Sequence, residues 1–314
     1  MPKKQGRSCS QAIAERRYWF KVLLVFGIAV LGGLLLYRLP VSSTTENAVQ
    51  PPPVERVMVQ RYELKNQSGR VQKNLYFWVY GAVEHTDTSR LLGIASSREY
   101  HQQTDRFGNR LLTFHIEQIP PYGSVIIENK TRLAIQSGKK AEAEWPEILE
   151  SSLRAAPLIE SDDPRIVKLA RSFQQADATQ RAEAIYQWVV GHIQVSDYQP
   201  QPLGAAKTLE MRQGDCTEFA HLYTAMARAA NLPARVVAGY RHEGRALMRT
   251  DDLHNWAEVY LDGRWRIVDA HAKNFLQDET GYMAIQRLDM RGTGVLKAHQ
   301  RYKVSNTAIQ VRQF

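Results

Sequence analysis

Cysteine is scarce in this 314-residue chain, which has two: Cys9 in a basic N-terminal tail and Cys216 far beyond a long apolar run. A disulfide framework is therefore excluded for everything after that run, and so are the paired cysteines of structural zinc sites. The nine histidines include no His-x-x-x-His pair, and His85, His101 and His115 lack metal-ligand spacing, so they read as surface or sheet residues. No cluster of acidic residues has the spacing of a calcium site. No cofactor or metal is expected. A phosphate-tracking basic run is missing too. The formal charge is +9, but Lys3, Lys4, Arg7, Arg16, Arg17 and Lys21 against Glu15 supply five of it. The remaining basic residues are interleaved with acids, which argues against a nucleic-acid partner.

Val22 to Tyr37 is an uncharged, almost wholly apolar run. With Tyr18 to Phe20 and a snorkelling Lys21 it reaches the roughly 20 residues that cross a bilayer. Residues 18–38 are expected to form a transmembrane signal anchor. Six basic residues precede Val22 and only Arg38 closely follows Tyr37, so residues 1–17 should stay cytoplasmic and the rest should lie outside, on the envelope or periplasmic side. A cleaved signal peptide is the alternative; the run is long for one, and no Ala-x-Ala site follows. Residues 39–55, rich in Ser, Thr and Pro, read as a linker. Outside the cytoplasm an unpaired thiol is exposed to oxidation. Cys216 is then either an inert buried side chain or a nucleophile.

Residues 56–145 alternate apolar and polar residues in short β-branched and aromatic stretches such as Leu75-Tyr76-Phe77-Trp78-Val79-Tyr80. Turn signals such as Pro120-Pro121-Tyr122-Gly123 separate them, as in a small β-sandwich. Helical spacing takes over at Asp162-Asp163-Pro164, with Ile166, Leu169, Ala170 and Phe173 on one face. A second run holds Ala184, Ile185, Trp188, Val189 and Ile193. A third follows Gly214, with Leu222, Ala225, Met226, Ala229 and Ala230 as its expected buried stripe and Asn231-Leu232-Pro233 as its stop. Strands are expected over 234–240, 257–261 and 265–269, the last two joined by the Asp262-Gly263 turn.

Cys216 begins the third helix, where unpaired N–H groups and the helix dipole favour a thiolate. His254 precedes one strand and Asp269 ends its hairpin neighbour, so pairing can bring the two together. Nucleophile, base and orienter of the base are the three roles this chemistry needs. Gly214 lets the chain turn sharply into the helix, which leaves the Cys216 amide to receive an oxyanion. Gln213, Tyr198 and Gln199 are candidates for the second donor. A zinc site built from Cys216, His221 and His271 is the competing use of the same residues.

Four motifs resemble the transglutaminase-like superfamily of papain-related thiol enzymes: Arg212-x-Gly214-Asp215-Cys216-x-Glu218-x-Ala220, Asn231-Leu232-Pro233-Ala234-Arg235-Val236-Val237-x-Gly239-Tyr240, His254-x-Trp256-x-Glu258-Val259-Tyr260 and Trp265-x-x-Val268-Asp269. The resemblance implies an α+β fold over residues 146–275, with N-terminal helices packed on an antiparallel sheet. Residues 276–314 read as a C-terminal extension, whose alternating Tyr302-Lys303-Val304-Ser305 and Ile309-Gln310-Val311 are expected to add strands or a flap near the cleft. It implies a Cys216-His254-Asp269 triad that attacks an amide carbonyl of a protein or peptide substrate and passes through a thioester. Water would make the protein a protease or amidase; a lysine amine would make it a crosslinking enzyme. A non-catalytic envelope scaffold is the reading from another class. After Asp269 the sequence departs from many relatives with Ala270-His271-Ala272, a change expected at the pocket floor.

Overall fold

The computed structural model describes residues 54–135, 145–173, 177–241, 246–292 and 294–314. The expected tail, the membrane span and nearly all of the linker lie outside them. Among the described residues no helix is long and apolar enough to cross a membrane.

The alternating stretches form β1 (Val54–Asn66), β2 (Gln72–Tyr80), β3 (Ser89–Ser96), β4 (His101–Thr104), β5 (Arg110–Ile119) and β6 (Ser124–Ile135). β6 pairs antiparallel with β1 and β3, and β5 with β2 and β4. Each of the two sheets turns alternate residues inward. Tyr62, Leu64, Phe77, Phe114 and Ile127 fill one core between them, the packing of a β-sandwich.

Beyond residue 145 the chain is helical. A short helix, α1 (Pro146–Ser151), comes first, with Pro146 in its first turn. α2 (Pro164–Ala170) starts on Asp163, whose side chain accepts the Arg165 N–H at 2.8 Å. α3 (Ala178–His192) starts on Asp177 in the same way, accepting from Gln180 N–H at 2.8 Å. β7 (Gln194–Val195), α4 (Ala205–Met211) and β8 (Gln213–Gly214) lead into α5 (Cys216–Ala229). This helix is not striped as its sequence suggests: every residue from Thr217 to Ala227 is buried. α2, α3 and α4 cover it on one side and the core sheet on the other, and a helix enclosed all round has no solvent face to keep polar.

That sheet is antiparallel, in the order β13-β12-β11-β9-β14, with β9 (Ala234–Arg241), β11 (Leu253–Leu261), β12 (Arg264–Asp269), β13 (Asn274–Phe275) and β14 (Tyr282–Arg287); β10 (Leu247–Met248) pairs with β1 instead. Asp262 and Gly263 both take positive φ, 52° and 78°, as the two-residue turn between β11 and β12 requires. β11 begins earlier than expected, at Leu253, because β9 pairs it as far as Leu253↔Tyr240. His254 therefore lies inside the strand, opposite Gly239. A Cβ on Gly239 would sit 2.1 Å from the Met283 carbonyl oxygen and 2.8 Å from the Trp256 ring, so only glycine lets these strands and the indole meet.

The tail does not stay apart. After β14 joins the core sheet, β15 (Tyr302–Val304) extends the β2 sheet and β16 (Ile309–Gln313) pairs with β1. The fold is mixed α+β.

Candidate active site

Two carboxyl groups set the start of the cysteine helix. Asp215 accepts the Thr217 N–H at 2.7 Å, while Glu218 reaches back to the Asp215 N–H at 3.1 Å, a reciprocal capping box. Their other oxygens hold the preceding loop: Asp215 accepts from Gln199 N–H at 2.8 Å and Glu218 from Leu203 N–H at 3.0 Å. Burial raises both groups, but the amides around Asp215 and its contact with Glu218 hold it below its usual range. Glu218, buried and facing the Asp215 charge, is raised to about 7. A Cβ on Gly214 would lie 2.2 Å from the Glu218 Cβ, which is why glycine precedes the cap. Cys216, half-buried, is the first residue of the helix, and its amide has no intrahelical acceptor.

His254 stands opposite on β11. Its Nε2 donates to Asp269 Oδ2 at 2.6 Å, and the Cys216 side chain lies near enough to favour the charged ring. With Nε2 taken by the carboxylate, Nδ1 is the nitrogen left for the thiol. Burial works against the imidazolium, but the Asp269 and Cys216 contacts outweigh it and raise His254 to about 9. Asp269 is 1% exposed. Its Oδ2 also accepts from the Tyr282 hydroxyl at 2.9 Å and its Oδ1 from Ala272 N–H at 3.0 Å. Burial alone would raise Asp269; the hydrogen bond and charge of His254, helped by these two donors, keep it low. Burial and the Asp269 charge push Tyr282 up, so the phenol remains a donor. The Trp256 indole lies nearly parallel to the His254 ring at 6.5 Å and edge-on to Tyr282 at 5.0 Å, which walls this side from water.

The structure thus bonds His254 to Asp269 and sets Cys216 within electrostatic reach of the imidazole. The other candidates are engaged elsewhere. Glu258 pairs with Arg235 at 2.7 Å, and that guanidinium stacks on Trp265 at 3.8 Å. His221 faces His299 rather than His271, with their Nε2 atoms 3.1 Å apart. His271 packs edge-on to Phe219, and burial, with the neighbouring His254 charge, pushes it down. Among the described residues, no three His, Cys, Asp or Glu side chains are grouped as metal ligands. Gln199 uses its amide on Asp215 and its side chain on the Asp197 carbonyl at 3.2 Å, while Tyr198 is 77% exposed. Ala272, in the departing Ala270-His271-Ala272 segment, supports Asp269 through its backbone N–H. Tyr282 has no sequence signal: it lies beyond the motifs and arrives only through β14 pairing with β9.

A half-exposed thiol at a helix N-terminus, an imidazole held by a buried carboxylate, and a free amide are the parts of an acyl-transfer site. Residues 167–270 match the model of the transglutaminase-like superfamily core, and they form a transglutaminase-like domain. Kyphoscoliosis peptidase of Mus musculus is 29% identical over 111 residues, 32% of this chain and 17% of that protein. The Homo sapiens protein is 29% identical over 101 residues, 29% of this chain and 15% of that one. The chain therefore spans a small fraction of the curated relatives it matches. A candidate cysteine protease from Cytophaga hutchinsonii shares the fold, with a TM-score of 0.57 at 18% identity over 85% of this chain and 92% of that one.

Proposed function

We propose that this protein is a thiol enzyme that cleaves amide or peptide bonds through Cys216, His254 and Asp269. The observation that carries the reading is the His254 ring, bonded through Nε2 to the buried Asp269 carboxylate and raised by both Asp269 and the Cys216 thiol. In the first step the Cys216 sulfur attacks the carbonyl carbon and its proton moves to His254 Nδ1. The resulting oxyanion is met by the Cys216 amide. Collapse breaks the C–N bond, the amine leaves with the proton from His254, and a thioester remains. Water then attacks, His254 takes one of its protons, and the acid is released with the thiol restored. Asp269 keeps the Nε2 tautomer throughout and favours the charged ring.

Hydrolysis is favoured over transfer to an amine because Cys216 is half-exposed, and an amine competes with water only where water is kept out. The apolar run at 18–38 supports an anchored protein whose residues 54–314 act outside the cytoplasm on protein or peptide substrates. The expected burst of p-nitrophenol from p-nitrophenyl acetate, one equivalent per protein, should be lost in Cys216→Ala. Hydroxylamine then partitions the acyl-enzyme, and the acetate to hydroxamate ratio reads water against amine. No burst from the folded wild type, or a burst that survives Cys216→Ala, refutes the enzyme.

A further inference from the structure

Five arginines line one cavity at the far end of the cysteine helix. The cavity, about 50 Å³, is walled by Arg106 from the turn between β4 and β5, Arg228 from the last turn of α5, Arg235 from β9, Arg287 from the end of β14 and Arg291 just beyond it. Asp289 is the one carboxylate among the described residues of this wall. It stands 4.0 Å from Arg106 and accepts the Arg291 backbone N–H at 3.1 Å. Glu258, outside the wall, holds Arg235 at 2.7 Å.

The remaining contacts position the guanidinium groups without offsetting their charge. Arg228 donates from Nε to the Ala234 carbonyl at 2.9 Å and from Nη1 to the Arg154 carbonyl at 2.6 Å. Arg291 donates from Nη2 to the Ala155 carbonyl at 3.0 Å. Among the described residues neither side chain has an ion-pair partner, and each keeps further N–H donors to offer. Arg287 is pinned in the same manner, through Nη1 to the Phe107 carbonyl at 2.7 Å and Nη2 to the His85 carbonyl at 2.6 Å. Burial and the Arg291 charge push Arg228 down to about 10, the direction expected where like charges are held together. The C-terminal end of α5 adds only about half a negative charge. Cations gathered in one wall call for an anion in the space between them.

We propose that this cavity binds one phosphate group, either inorganic phosphate or the phosphomonoester of a larger molecule. Guanidinium forks match pairs of phosphate oxygens. The volume holds roughly three to five waters, room for a single tetrahedral oxyanion and too little for a nucleotide. Arg106, with a side chain 69% exposed, and the exposed Arg291 stand at the rim, so an ester substituent has a way out. The site is separate from the thiol chemistry: Arg228 lies about 18 Å along the helix from Cys216, at 1.5 Å per residue. A phosphate there ties together the sandwich turn, the cysteine helix and the tail, through Arg106, Arg228 and Arg291.

The test is thermal melting of the full-length protein in a neutral detergent, titrated with inorganic phosphate and, at equal ionic strength, with sodium chloride. Phosphate should raise the melting temperature saturably, by about 3–5 °C at tenfold its apparent Kd, and chloride should not. Arg291→Gln should raise the half-saturating phosphate concentration at least about fivefold, as loss of one charge-assisted pair implies. Arg154→Gln, a side chain outside the cavity, should leave it within about twofold. Arginines that only pin carbonyls would lower the melting temperature of Arg291→Gln without moving its phosphate dependence. Should that variant not fold, Arg106→Gln takes its place under the same criterion. Glycerol 3-phosphate separates the sources: stabilisation at least equal to that by phosphate assigns a phosphomonoester, and weaker stabilisation assigns inorganic phosphate. Equal responses to phosphate and chloride, a half-saturation point unmoved by the cavity variant, or an equal loss in Arg154→Gln overturns the proposal.

Discussion

At the scale of residues, His254 carries the most informative titration. Its pKa is raised to about 9 although burial opposes the charge. Asp269→Asn removes the carboxylate charge that wins this contest, so burial then dominates and His254 should titrate below about 6.5, which histidine NMR reads directly. The sign for stability follows. A raised histidine contributes fully below its unfolded pKa near 6.5 and loses that contribution as pH rises through about 9. Wild-type stability relative to His254→Gln should therefore fall across that window in urea titrations. Tyr282→Phe leaves His254 in place but removes one donor to Asp269. It should cost about 1 kcal/mol of stability and slow acylation several-fold without abolishing it, as the nitrophenyl ester burst rate would show.

At the scale of elements, the start of the cysteine helix is the most constrained. Gly214→Ala would drive a methyl group into Glu218 and should cost about 1–3 kcal/mol, with a parallel loss of Cys216 reactivity. Glu218 is a raised carboxyl, so its proton stabilises the fold below about 4.5 and that contribution fades as pH rises through about 7. Glu218→Gln should flatten the pH dependence of melting temperature between these values; a slope equal to wild type would show that the Asp215-Glu218 contact does not share a proton. The placement of Cys216, His254 and Asp269 near one another was legible because each sits by a local signal: a Gly-Asp turn into a helix, the approach to the strand over 257–261, and a hairpin with Asp262-Gly263. The inner boundary of β11 was not, since Leu253 to Trp256 become strand only by pairing with β9. Full burial of α5 was equally hidden. Its polar positions Glu218, His221 and Thr224 are buried because other elements close over them, and no window of local sequence carries that.

At the scale of the whole molecule, the tail binds the parts together. Residues 276–314 read as an extension that adds strands or a flap, without a place for them, and in the structure they supply a strand to each of three sheets: β14, β15 and β16. Tyr282 and His299 ride on this path to the site, which is why neither of them could be named beforehand. Their partners are distant in sequence, and long-range pairing leaves no periodic trace in a short window. β16 places Ile309, 4% exposed, in the core between the β1 and β2 sheets. Ile309→Ala should cost about 2–5 kcal/mol, and removing residues 301–314 should expose that core to a hydrophobic dye while leaving the cysteine helix sequence intact.

The central claim is that Cys216 and His254 act as one pair. Its most direct test is the pH dependence of iodoacetamide alkylation of Cys216, in protein carrying Cys9→Ser, with and without His254→Ala and with intact mass as readout. The account predicts rapid alkylation well below pH 8 that slows at least about tenfold in the variant, as an imidazole-assisted thiol requires. Equally slow alkylation of both proteins, with the fold verified by circular dichroism, would contradict it and leave the transglutaminase-like domain as a binding module.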